Sequence, residues 1–586
     1  MFAKVLIANR GEIAVRVIRA CRELGVRTVA VYSDADAAAA HVRLADEAIH
    51  IGGSRATDSY LRVDALLEAA RRTNADALHP GYGFLSERAS CARAVRDAGL
   101  VWIGPPAEAI EAVGSKTAAR TLAERAGVPV VPGTMVALQT VQQAAEAAER
   151  FGYPILLKAA AGGGGKGMRV VRGANELASS LEAAQREARA AFGDDAVYVE
   201  KFVDRPRHIE IQVLADAHGT VCTLGERECS VQRRHQKIIE EAPSVAVSPE
   251  LRQAMGETAI RAARAAGYVN AGTCEFLLDR DGKFYFLEMN TRIQVEHPVT
   301  ELVTGIDLVQ WQLRVAAGER LPFADGTIRP NGWAMECRIT SEDPANGFLP
   351  STGRVTYLRV PGGPGVRWDG GIEIGTDVGL YYDSLLAKLI VWAPTRERAR
   401  ARLRRAIDEY RIGGVPTTLG FLRALNDHEP VVRGDYGTAT LEAFAATWTA
   451  PPAASEPETM PPGPSAAPSD IVRVEVNDKL FTVRLIDRPA ARGNASESRA
   501  AAPKPAARSR NGRVASGNDV VAPMHGVVVE VAVAPGDDVR EGQVVAVIEA
   551  MKMMNEIRAH RAGSVAAVVA AVGSTVEANA PLLTLA

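Results

Sequence analysis

The chain has 586 residues, a formal net charge of −2 and a hydrophobic content of 47%. This length is too great for one hydrophobic core, so several domains are expected. The nearly neutral charge gives no support for a protein that binds DNA or an anionic membrane surface.

The six cysteines are scattered and form no CxxC pair of the kind that indicates a structural zinc site. This usage is typical of a reduced, cytosolic protein. The sequence shows no signal-peptide pattern and no apolar run long enough to cross a bilayer. We therefore expect a cytoplasmic protein.

The chain begins with a strand–helix–strand pattern. Val5–Ala8 is apolar, residues 11–24 carry apolar side chains at helical spacing, and Thr28–Tyr32 has the composition of a second strand. Alternation of this kind predicts a parallel α/β sheet.

A glycine-rich loop follows the short apolar strand 155–158. Its sequence is AGGGGKGM at 161–168, and consecutive glycines expose backbone N–H groups to phosphate oxygens, while Lys158 and Lys166 add positive charge. The spacing is neither that of a P-loop nor that of a GxGxxG turn. A glycine run alone is more often a flexible loop, but the paired carboxylates downstream favour a nucleotide lid.

Residues 272–288 predict a β-hairpin with two opposed carboxylates. If Asp281 and Gly282 form a two-residue turn, Glu275 and Glu288 face each other, with Cβ atoms about 5 Å apart. Two carboxylates could both point into water, but a hard cation such as Mg²⁺ between them explains the pairing better. Asn290 adds an amide oxygen on the same face of the strand.

The composition changes sharply after residue 447. Residues 448–470 are rich in Pro, Ala and Ser and predict an extended linker. Residues 471–486 predict a β-hairpin too small to be stable alone. Residues 487–518 predict a tether of roughly 30 Å root-mean-square span, which would let the following domain visit distant sites.

The segment 519–586 contains an internal repeat, because the pattern of residues 526–539 recurs at 563–576. The repeat predicts two similar sheets folded on each other, with Lys552 at the turn that joins the halves. A lysine at a turn is usually a solvated charge, but Met551 and Met553 beside it have no packing reason at an exposed position.

Two motifs in this segment resemble those of biotin carboxyl carrier domains. The sequence AMKM at 550–553 resembles the attachment motif, and APM at 522–524 resembles the opening strand. Lipoyl domains share the fold but lack the methionine-flanked lysine. The resemblance implies biotin covalently attached to Lys552, and hence a biotin protein ligase as a partner.

Residues 1–447 resemble the ATP-grasp family and, within it, biotin carboxylase. The motifs that carry this resemblance are HPGYG at 79–83, GSK at 114–116, GERECS at 225–230, QRRHQK at 232–237, EMNTRIQVEHP at 288–298 and YYDS at 381–384. The resemblance implies an α/β fold with a Rossmann-like biotin carboxylase N-terminal domain, an ATP-grasp domain with a lid, a C-terminal α+β domain and a small all-β barrel-sandwich biotinyl domain. The implied segments are 1–113, 114–332, 333–447, the linker 448–470, the hairpin 471–486, the linker 487–518 and the biotinyl domain 519–586.

The resemblance also implies roles for individual residues. Contacts to ATP are implied for Lys116, Lys158, Gly163, Gly164, Gly165, Glu200, Lys201, His208, Gln232 and His235. Glu275, Glu288 and Asn290 would hold Mg²⁺ or Mn²⁺, and Lys237, Arg292, Gln294 and the Val295 backbone would hold bicarbonate. Glu296 would be the general base, Arg338 would contact the biotin ureido oxygen, and Tyr82 would line the biotin pocket.

The expected chemistry accounts for these residue types. Bicarbonate is a weak nucleophile, so cations position it while Glu296 removes its proton during attack on the γ-phosphate of ATP. We expect Glu296 to lie between Arg292 and Lys237, which would lower its pKa. Arg338 suits a site that needs a permanent positive charge, since guanidinium does not deprotonate.

The resemblance leaves the final carboxyl acceptor open. No segment remains for a carboxyltransferase, so a separate β subunit is expected, as in acetyl- or propionyl-CoA carboxylases, with the 471–486 hairpin as a possible docking element. Methylcrotonyl-CoA, geranyl-CoA and two-subunit pyruvate carboxylases are alternatives. A non-biotin ATP-grasp ligase, or a carrier protein with an inactive scaffold, agrees less well with the intact motifs.

Overall fold

The computed structural model describes residues 1–114, 116–134, 138, 140–159, 168–192, 195–233, 236–323, 328–450, 471–476, 479–484, 517–551 and 553–586. Most of the two sequence-predicted linkers therefore lies outside the described residues. The same holds for five of the candidate site residues, namely Gly163, Gly164, Gly165, His235 and Lys552. Among the described helices, none is long and apolar enough to cross a membrane.

The N-terminal domain is a five-stranded parallel sheet flanked by helices, which confirms the predicted α/β pattern. The strand order is β3-β2-β1-β4-β5. Its elements are β1 (Lys4–Ile7), α1 (Gly11–Glu23), β2 (Arg27–Ser33), α2 (Ala40–Leu44), β3 (Glu47–Gly52), α3 (Val63–Thr73), β4 (Ala77–His79), α4 (Ala89–Asp97), β5 (Val101–Trp102) and α5 (Ala107–Val113).

The strand order reverses between β1 and β4, so the loops after these two strands meet. Asn9, which follows β1, donates from its side-chain amide to the backbone carbonyls of Pro80 and Tyr82, at 2.7 and 2.8 Å. Ligands of open α/β sheets bind at such a switch point. Glu12, in the first turn of α1, and Tyr82, in the loop after β4, are thereby placed side by side.

The next segment contains a small lid and the first part of a large sheet. The lid sheet has the antiparallel order β7-β6-β8. The elements are α6 (Lys116–Arg125), α7 (Val141–Phe151), β6 (Ile155–Ala159), β7 (Met168–Val171), α8 (Ala174–Phe192), β8 (Val197–Lys201), β9 (Arg207–Ala215), β10 (Val221–Arg233), β11 (Gln236–Ala242), α9 (Pro249–Ala265), β12 (Asn270–Leu278), β13 (Phe284–Asn290), α10 (His297–Thr304) and α11 (Leu308–Ala316).

The third segment continues the same sheet. The elements are β14 (Trp333–Thr340), β15 (Glu342–Asp343), β16 (Leu349–Pro350), β17 (Gly353–Arg354), β18 (Tyr357–Arg359), β19 (Val366–Gly370), β20 (Asp377–Val378), β21 (Leu385–Ala393), α12 (Arg396–Glu409), β22 (Arg411–Gly413), α13 (Leu419–Asn426), α14 (Glu429–Arg433) and α15 (Thr440–Thr447). Together with the second segment it forms one eight-stranded antiparallel sheet in the order β13-β12-β9-β10-β11-β14-β21-β19. The sheet thus runs across the sequence-predicted boundary at 332/333.

This large sheet has one apolar and one polar face, because side chains alternate along each strand. In β9, Ile209, Ile211 and Val213 pack under helix α9. Glu210 and Gln212 lie between them and point to the opposite face, where both are fully buried. A buried polar face needs charge partners, so the candidate site is expected on this side.

The C-terminal segment forms a separate β-sandwich. It contains β25 (Asp519–Val521), β26 (Gly526–Val531), β27 (Asp538–Val539), β28 (Val544–Ala550), β29 (Met553–Arg558), β30 (Gly563–Val568), β31 (Thr575–Val576) and β32 (Pro581–Leu585). The two sheets have the orders β25-β32-β30-β27 and β29-β28-β26-β31. Strands of both repeat halves occur in each sheet, which confirms the predicted pair of similar sheets.

The predicted hairpin between the linkers is also present. Strands β23 (Ile471–Val476) and β24 (Lys479–Arg484) pair antiparallel, with Val476 opposite Lys479. The expected turn residues, 477–478, lie outside the described residues.

Candidate active site

A cavity of about 970 Å³ lies between the lid sheet and the polar face of the large sheet. Most of the described candidate residues line it. They are Lys158, Glu200, Lys201, His208, Gln232, Lys237, Glu275, Glu288, Asn290, Arg292, Gln294, Val295, Glu296 and Arg338. Tyr82 is not among its lining residues and lies at the switch point of the N-terminal domain.

The carboxylate hairpin has the predicted pairing but a different turn. Glu275 lies opposite Glu288 in register, as predicted. The predicted two-residue turn is wrong, because Asp279 pairs with Lys283 around a three-residue loop in which Gly282 has a φ of +79°. A register shift between Glu275 and Phe276 compensates for the extra loop residue and restores the pairing.

These side chains fit a hard divalent cation. Glu275 and Glu288 offer carboxylate oxygens to the same cavity, and carboxylates are ligands that Mg²⁺ prefers. Asn290 orients one of them, because its side-chain amide donates to Glu275 Oε1 at 2.9 Å. The two carboxylates therefore fit the predicted metal, whereas the predicted Asn290 amide oxygen accepts a hydrogen bond from Arg292 Nη2 at 3.0 Å.

Lys237 is the cation at the centre of the polar face. Its Nζ lies 2.6 Å from Glu296 Oε1 and 3.2 Å from Glu275 Oε1, and it also donates to Glu210. Burial alone would lower the pKa of Lys237, but Glu210, Glu275 and Glu296 together raise it well above its usual value. The ammonium is therefore fixed in the charged form.

Glu296 is held between two cations, one of which differs from the prediction. Its Oε1 accepts from Lys237, and its Oε2 accepts from Arg338 Nη2 at 3.0 Å. Burial would raise the pKa of Glu296, but Lys237 and then Arg338 hold it well below its usual value, as expected. The predicted second cation, Arg292, instead pairs with Glu87 at 2.9 Å.

Arg338 has a second carboxylate partner that the sequence did not reveal. Its Nε and Nη2 both lie 2.6 Å from Glu240 Oε1. Burial disfavours the charged guanidinium, but Glu240 and Glu296 together raise the pKa of Arg338 above its usual value. The guanidinium is thus held by one carboxylate on β11 and one on the loop before α10.

Glu210 and Arg227 form a second buried pair beneath the cavity that the sequence reasoning missed. Arg227 Nε lies 3.0 Å from Glu210 Oε2, and neither side chain is exposed. Arg227 also donates to Gln294 Oε1 at 2.5 Å, which turns the Gln294 amide N–H toward Glu275 at 2.7 Å. Polar residues at every second position of 208–212 were a signal that could have identified Glu210.

The residues expected near the nucleotide divide into two groups. Lys158 donates to Glu200, which also accepts from Arg120 at 3.0 Å. Lys201 instead donates to the Gly152 carbonyl at 2.8 Å. The Lys116 side chain lies outside the described structure.

The other two nucleotide candidates lie over the metal candidates. His208 Nε2 lies 3.1 Å from Glu275 Oε2, and Gln232 Nε2 lies 3.4 Å from His208 Nδ1. Burial would lower the pKa of His208, but Glu275 raises it above its usual value. His208 is thus placed between the expected metal and nucleotide positions.

The cysteines have no catalytic environment. All six are buried, and none of them forms a disulfide. Burial raises the pKa of Cys229 well above its usual value, although Lys237 lies nearby. A neutral thiol is a poor nucleophile, which argues against a catalytic role for Cys229.

The tip of the β-sandwich touches the rim of the large sheet. Ala550 pairs with Met553, and Met551 follows strand β28. Lys552, which was predicted at this turn, lies outside the described residues. The Met551 N–H donates to the Leu380 carbonyl at 3.2 Å, and its sulfur lies 3.8 Å from Ser341 Oγ. Met551 is only 2% exposed, so one flanking methionine has a packing reason after all.

Four family models match successive parts of the chain. They are "Biotin carboxylase, N-terminal domain" at 1–110, "Carbamoyl-phosphate synthase L chain, ATP binding domain" at 115–324, "Biotin carboxylase C-terminal domain" at 336–443 and "Biotin-requiring enzyme" at 518–585.

Two relatives match almost the whole chain. The biotin-dependent acyl-coenzyme A carboxylase alpha3 subunit of Mycobacterium leprae is 45% identical over 98% of this chain and 97% of its own. The human mitochondrial propionyl-CoA carboxylase alpha chain is 40% identical over 98% of this chain and 90% of its own.

A solved structure matches the first three domains. The biotin carboxylase domain of Hydrogenobacter thermophilus 2-oxoglutarate carboxylase, in complex with MgADP, ADP and bicarbonate, has a TM-score of 0.73 and 48% identity. The match covers 77% of this chain and 99% of that chain.

Proposed function

This chain belongs to the biotin carboxylase family, and we propose that it carboxylates biotin carried on its own Lys552, using ATP and bicarbonate. The observation that carries the proposal is the buried Glu296, held ionised between Lys237 and Arg338 at the edge of the cavity. A general base must be ionised and within reach of the proton that it removes. Glu296 meets the first requirement and faces the cavity where bicarbonate would bind.

The other side chains position the reactants. Lys237, Arg292, Gln294 and the Val295 backbone surround the bicarbonate position, so that a weak nucleophile is oriented toward the γ-phosphate of ATP. Lys158, His208 and the loop N–H groups stabilise charge on the transferring phosphoryl group. Bound Mg²⁺, held by Glu275 and Glu288, would add positive charge at the phosphate oxygens, and bound biotin would supply the nitrogen that accepts the carboxyl group.

Arg338 then serves the second half of the reaction. Its guanidinium is permanently charged and faces the cavity beside Glu296. In that place it can stabilise negative charge on the ureido oxygen of biotin, while Tyr82 borders the biotin pocket. The contact between Met551 and the Ser341–Leu380 rim brings the attachment turn to this end of the sheet.

The direct test uses the purified, biotinylated full-length chain. We expect ADP formation to require bicarbonate, and labelled bicarbonate to be recovered on the 519–586 segment after proteolysis. ATP cleavage that does not depend on bicarbonate, with no label on that segment, would contradict the proposal and favour another ATP-grasp ligase or an inactive scaffold.

The acceptor of the carboxyl group is proposed to be an acyl-CoA, transferred by a separate carboxyltransferase β subunit. The relatives that share the whole domain layout, at 98% of this chain, are named acyl-CoA carboxylase subunits. The pyruvate carboxylase and 2-oxoglutarate carboxylase subunits match only 76% and 75% of this chain. Biotin protein ligase is the proposed partner that modifies Lys552, and six buried cysteines that form no disulfide support a cytoplasmic location.

Co-purification tests the partner and the acceptor together. A tagged chain should retain an endogenous carboxyltransferase subunit, and the complex should carboxylate acetyl-CoA or propionyl-CoA faster than methylcrotonyl-CoA, geranyl-CoA or pyruvate. We propose that the 471–486 hairpin docks this partner. A chain lacking 471–486 should lose the partner but keep bicarbonate-dependent ATP cleavage, and unchanged complex assembly would refute the docking role.

A further inference from the structure

A fully buried lysine lies behind the cavity, on the strand next to Arg338. Lys388 of β21 is 0% exposed and lies opposite Arg338 in the sheet register. Its Nζ donates to the Val295 carbonyl at 2.9 Å and lies 3.2 Å from Glu12 Oε1. An ammonium taken out of water is costly, and only good partners offset that cost.

Sheet stability alone does not explain this lysine. The neighbours of Lys388 along β21 are Ala387 and Leu389, and both are fully buried, as is Ile390 two positions along. An aliphatic side chain would therefore suit the strand. Replacement of a buried ion pair by apolar residues is often neutral or stabilising. The charge at this position is therefore better explained by what Lys388 holds than by what it contributes to stability.

The first group that Lys388 holds belongs to the bicarbonate loop. The Val295 carbonyl is part of the peptide plane that also contains the nitrogen of Glu296. A hydrogen bond that fixes this carbonyl therefore fixes the point from which the Glu296 side chain leaves the backbone. Lys388 acts on the proposed general base through its main chain, whereas Lys237 and Arg338 act on its carboxylate.

The second group that Lys388 holds belongs to the N-terminal domain. Glu12, at the start of α1, accepts from the Tyr82 hydroxyl through the same oxygen that faces Lys388. Glu12 is itself buried, at 5% exposure. A continuous line of contacts thus runs from the Val295 carbonyl through Lys388 and Glu12 to Tyr82.

Other charges near Lys388 do not replace Glu12 in this line. Asp369, opposite Lys388 on β19, is engaged by Arg367 at 2.7 Å. Neither carboxylate oxygen of Glu336 has a hydrogen-bond partner. Burial raises the pKa of Glu336 well above its usual value despite Lys388.

We propose that Lys388 and Glu12 are a positioning pair that ties the bicarbonate loop to the biotin pocket. Through this pair, one buried ammonium fixes the orientation of both the Val295–Glu296 peptide and the Tyr82 hydroxyl. The two half-reactions therefore depend on the same buried ion pair. The inference rests on the roles proposed above for Val295, Glu296 and Tyr82.

The test compares two buried cations of the full-length chain. Lys552→Ala is present in every variant, so that free biotin is the only carboxyl acceptor. Lys388→Met should raise the KM for bicarbonate about tenfold and the KM for free biotin several-fold, with the KM for ATP unchanged within about twofold. The control is Arg396→Met, because Arg396 is 12% exposed and pairs with Glu241 at 2.8 Å without lining the cavity.

Thermal unfolding separates positioning from stability. Both variants should lower Tm, but only Lys388→Met should change the KM for bicarbonate and biotin. A wild-type KM for bicarbonate in Lys388→Met, or an equal rise in Arg396→Met, would overturn the inference. Should the parent chain itself lack bicarbonate-dependent ATP cleavage, the proposed function fails instead, so the two failures are distinguishable.

A second variant tests the link to the biotin pocket and serves if Lys388→Met does not fold. Glu12→Gln keeps the size of the side chain but removes its charge, and should raise the KM for free biotin more than the KM for bicarbonate. The double variant Glu12→Gln, Tyr82→Phe should raise the KM for free biotin by less than the product of the two single-variant effects, because both changes break the same contact. Multiplicative effects would show that Glu12 and Tyr82 act independently and would contradict the proposed line of contacts.

Discussion

The large sheet buries charged side chains on one face, whereas the β-sandwich buries apolar side chains. The polar face of the large sheet buries Glu210, Glu275 and Glu296 around Lys237, which pairs with each of them. The sandwich core consists of apolar side chains such as Val528, Ile548 and Leu583. Buried charges are costly unless paired, so the sheet accepts that cost where phosphoryl chemistry needs fixed charge. The sandwich has to be stable and to present one turn.

This contrast predicts that the sheet carries out the chemistry and that the sandwich presents the attached biotin. Substitutions in either region test this prediction separately. Changes in the sheet should stop chemistry on any biotin, attached or free. Changes at the sandwich tip should stop only the chemistry on attached biotin. Free biotin as an alternative substrate separates the two effects in every experiment below.

The largest effect is expected at the sandwich tip. Lys552→Arg keeps the positive charge but removes the amine that biotin protein ligase modifies, so carboxylation of the chain itself should be abolished. Intact-mass measurement should show no biotin, while carboxylation of free biotin should persist near the wild-type rate. Loss of the free-biotin activity as well would show that the sandwich is needed for chemistry in the sheet.

The next largest effect is expected in the sheet. Glu296→Gln removes the proposed base but keeps its size, and bicarbonate-dependent ATP cleavage should fall by about 10²–10⁴-fold on attached and free biotin alike. Glu226→Gln is the matched control, since Glu226 is equally buried at 2% exposure and pairs with Arg252 away from the cavity. Activity of Glu296→Gln within about tenfold of wild type would exclude Glu296 as the base.

Local patterns predicted the parts of the site that depend on local pairing. The opposition of Glu275 and Glu288 followed from one hairpin and was confirmed, although its turn was wrong. Loop length and bulge compensated each other, because the longer loop adds one residue on the side of β12 and the register shift adds one residue on β13, which restores the pairing.

Partners that are distant in the chain could not be predicted in this way. Glu240 reaches Arg338 because β11 pairs with β14, and Arg292 was placed beside Glu296 because the resemblance assigns both to the bicarbonate site. In the structure the loop 291–296 is not helical, and Arg292 faces Glu87 of the N-terminal domain. Sequence spacing carried no information about that domain contact.

A smaller effect should separate two methionines of the sandwich. Met551→Ala removes the side chain that is 2% exposed at the Ser341 contact, whereas Met554→Ala removes one that is 38% exposed. Met551→Ala should lower the rate of carboxylation of attached biotin about tenfold, since a buried anchor contributes far more than a rim residue. Met554→Ala should have no effect, and neither change should alter the rate on free biotin.

The outcome for Met551 also tests the position of the sandwich. Biotin content, measured by intact mass, must be equal in both methionine variants before the rates are compared. Equal rates for Met551→Ala and Met554→Ala would mean that the contact with Ser341 and Leu380 is not used during carboxylation.

The smallest effect is a change in pH dependence within the sheet. Burial, opposed by Arg338, raises the pKa of Glu240 from 4.5 to about 7. Since folding raises this pKa, ionisation of Glu240 disfavours the folded state. The contribution of Glu240 to the free energy of unfolding therefore declines as the pH rises from 4.5 to about 7.

The effect of pH on activity has the opposite sign, because the ionised carboxylate of Glu240 is the form that holds Arg338. The kcat/KM for free biotin should therefore fall as the pH drops below about 7. In Glu240→Gln this decrease in kcat/KM at low pH should disappear. The kcat/KM for free biotin should then be a few-fold lower than in the wild type and independent of pH around and below pH 7.

Glu241→Gln is the control, because the carboxylate of Glu241 pairs with Arg396 on the opposite face, and this variant should keep the decrease in kcat/KM at low pH. If the decrease survives in Glu240→Gln, the titration belongs to another group of the cluster, and Arg338 is held by Glu296 alone.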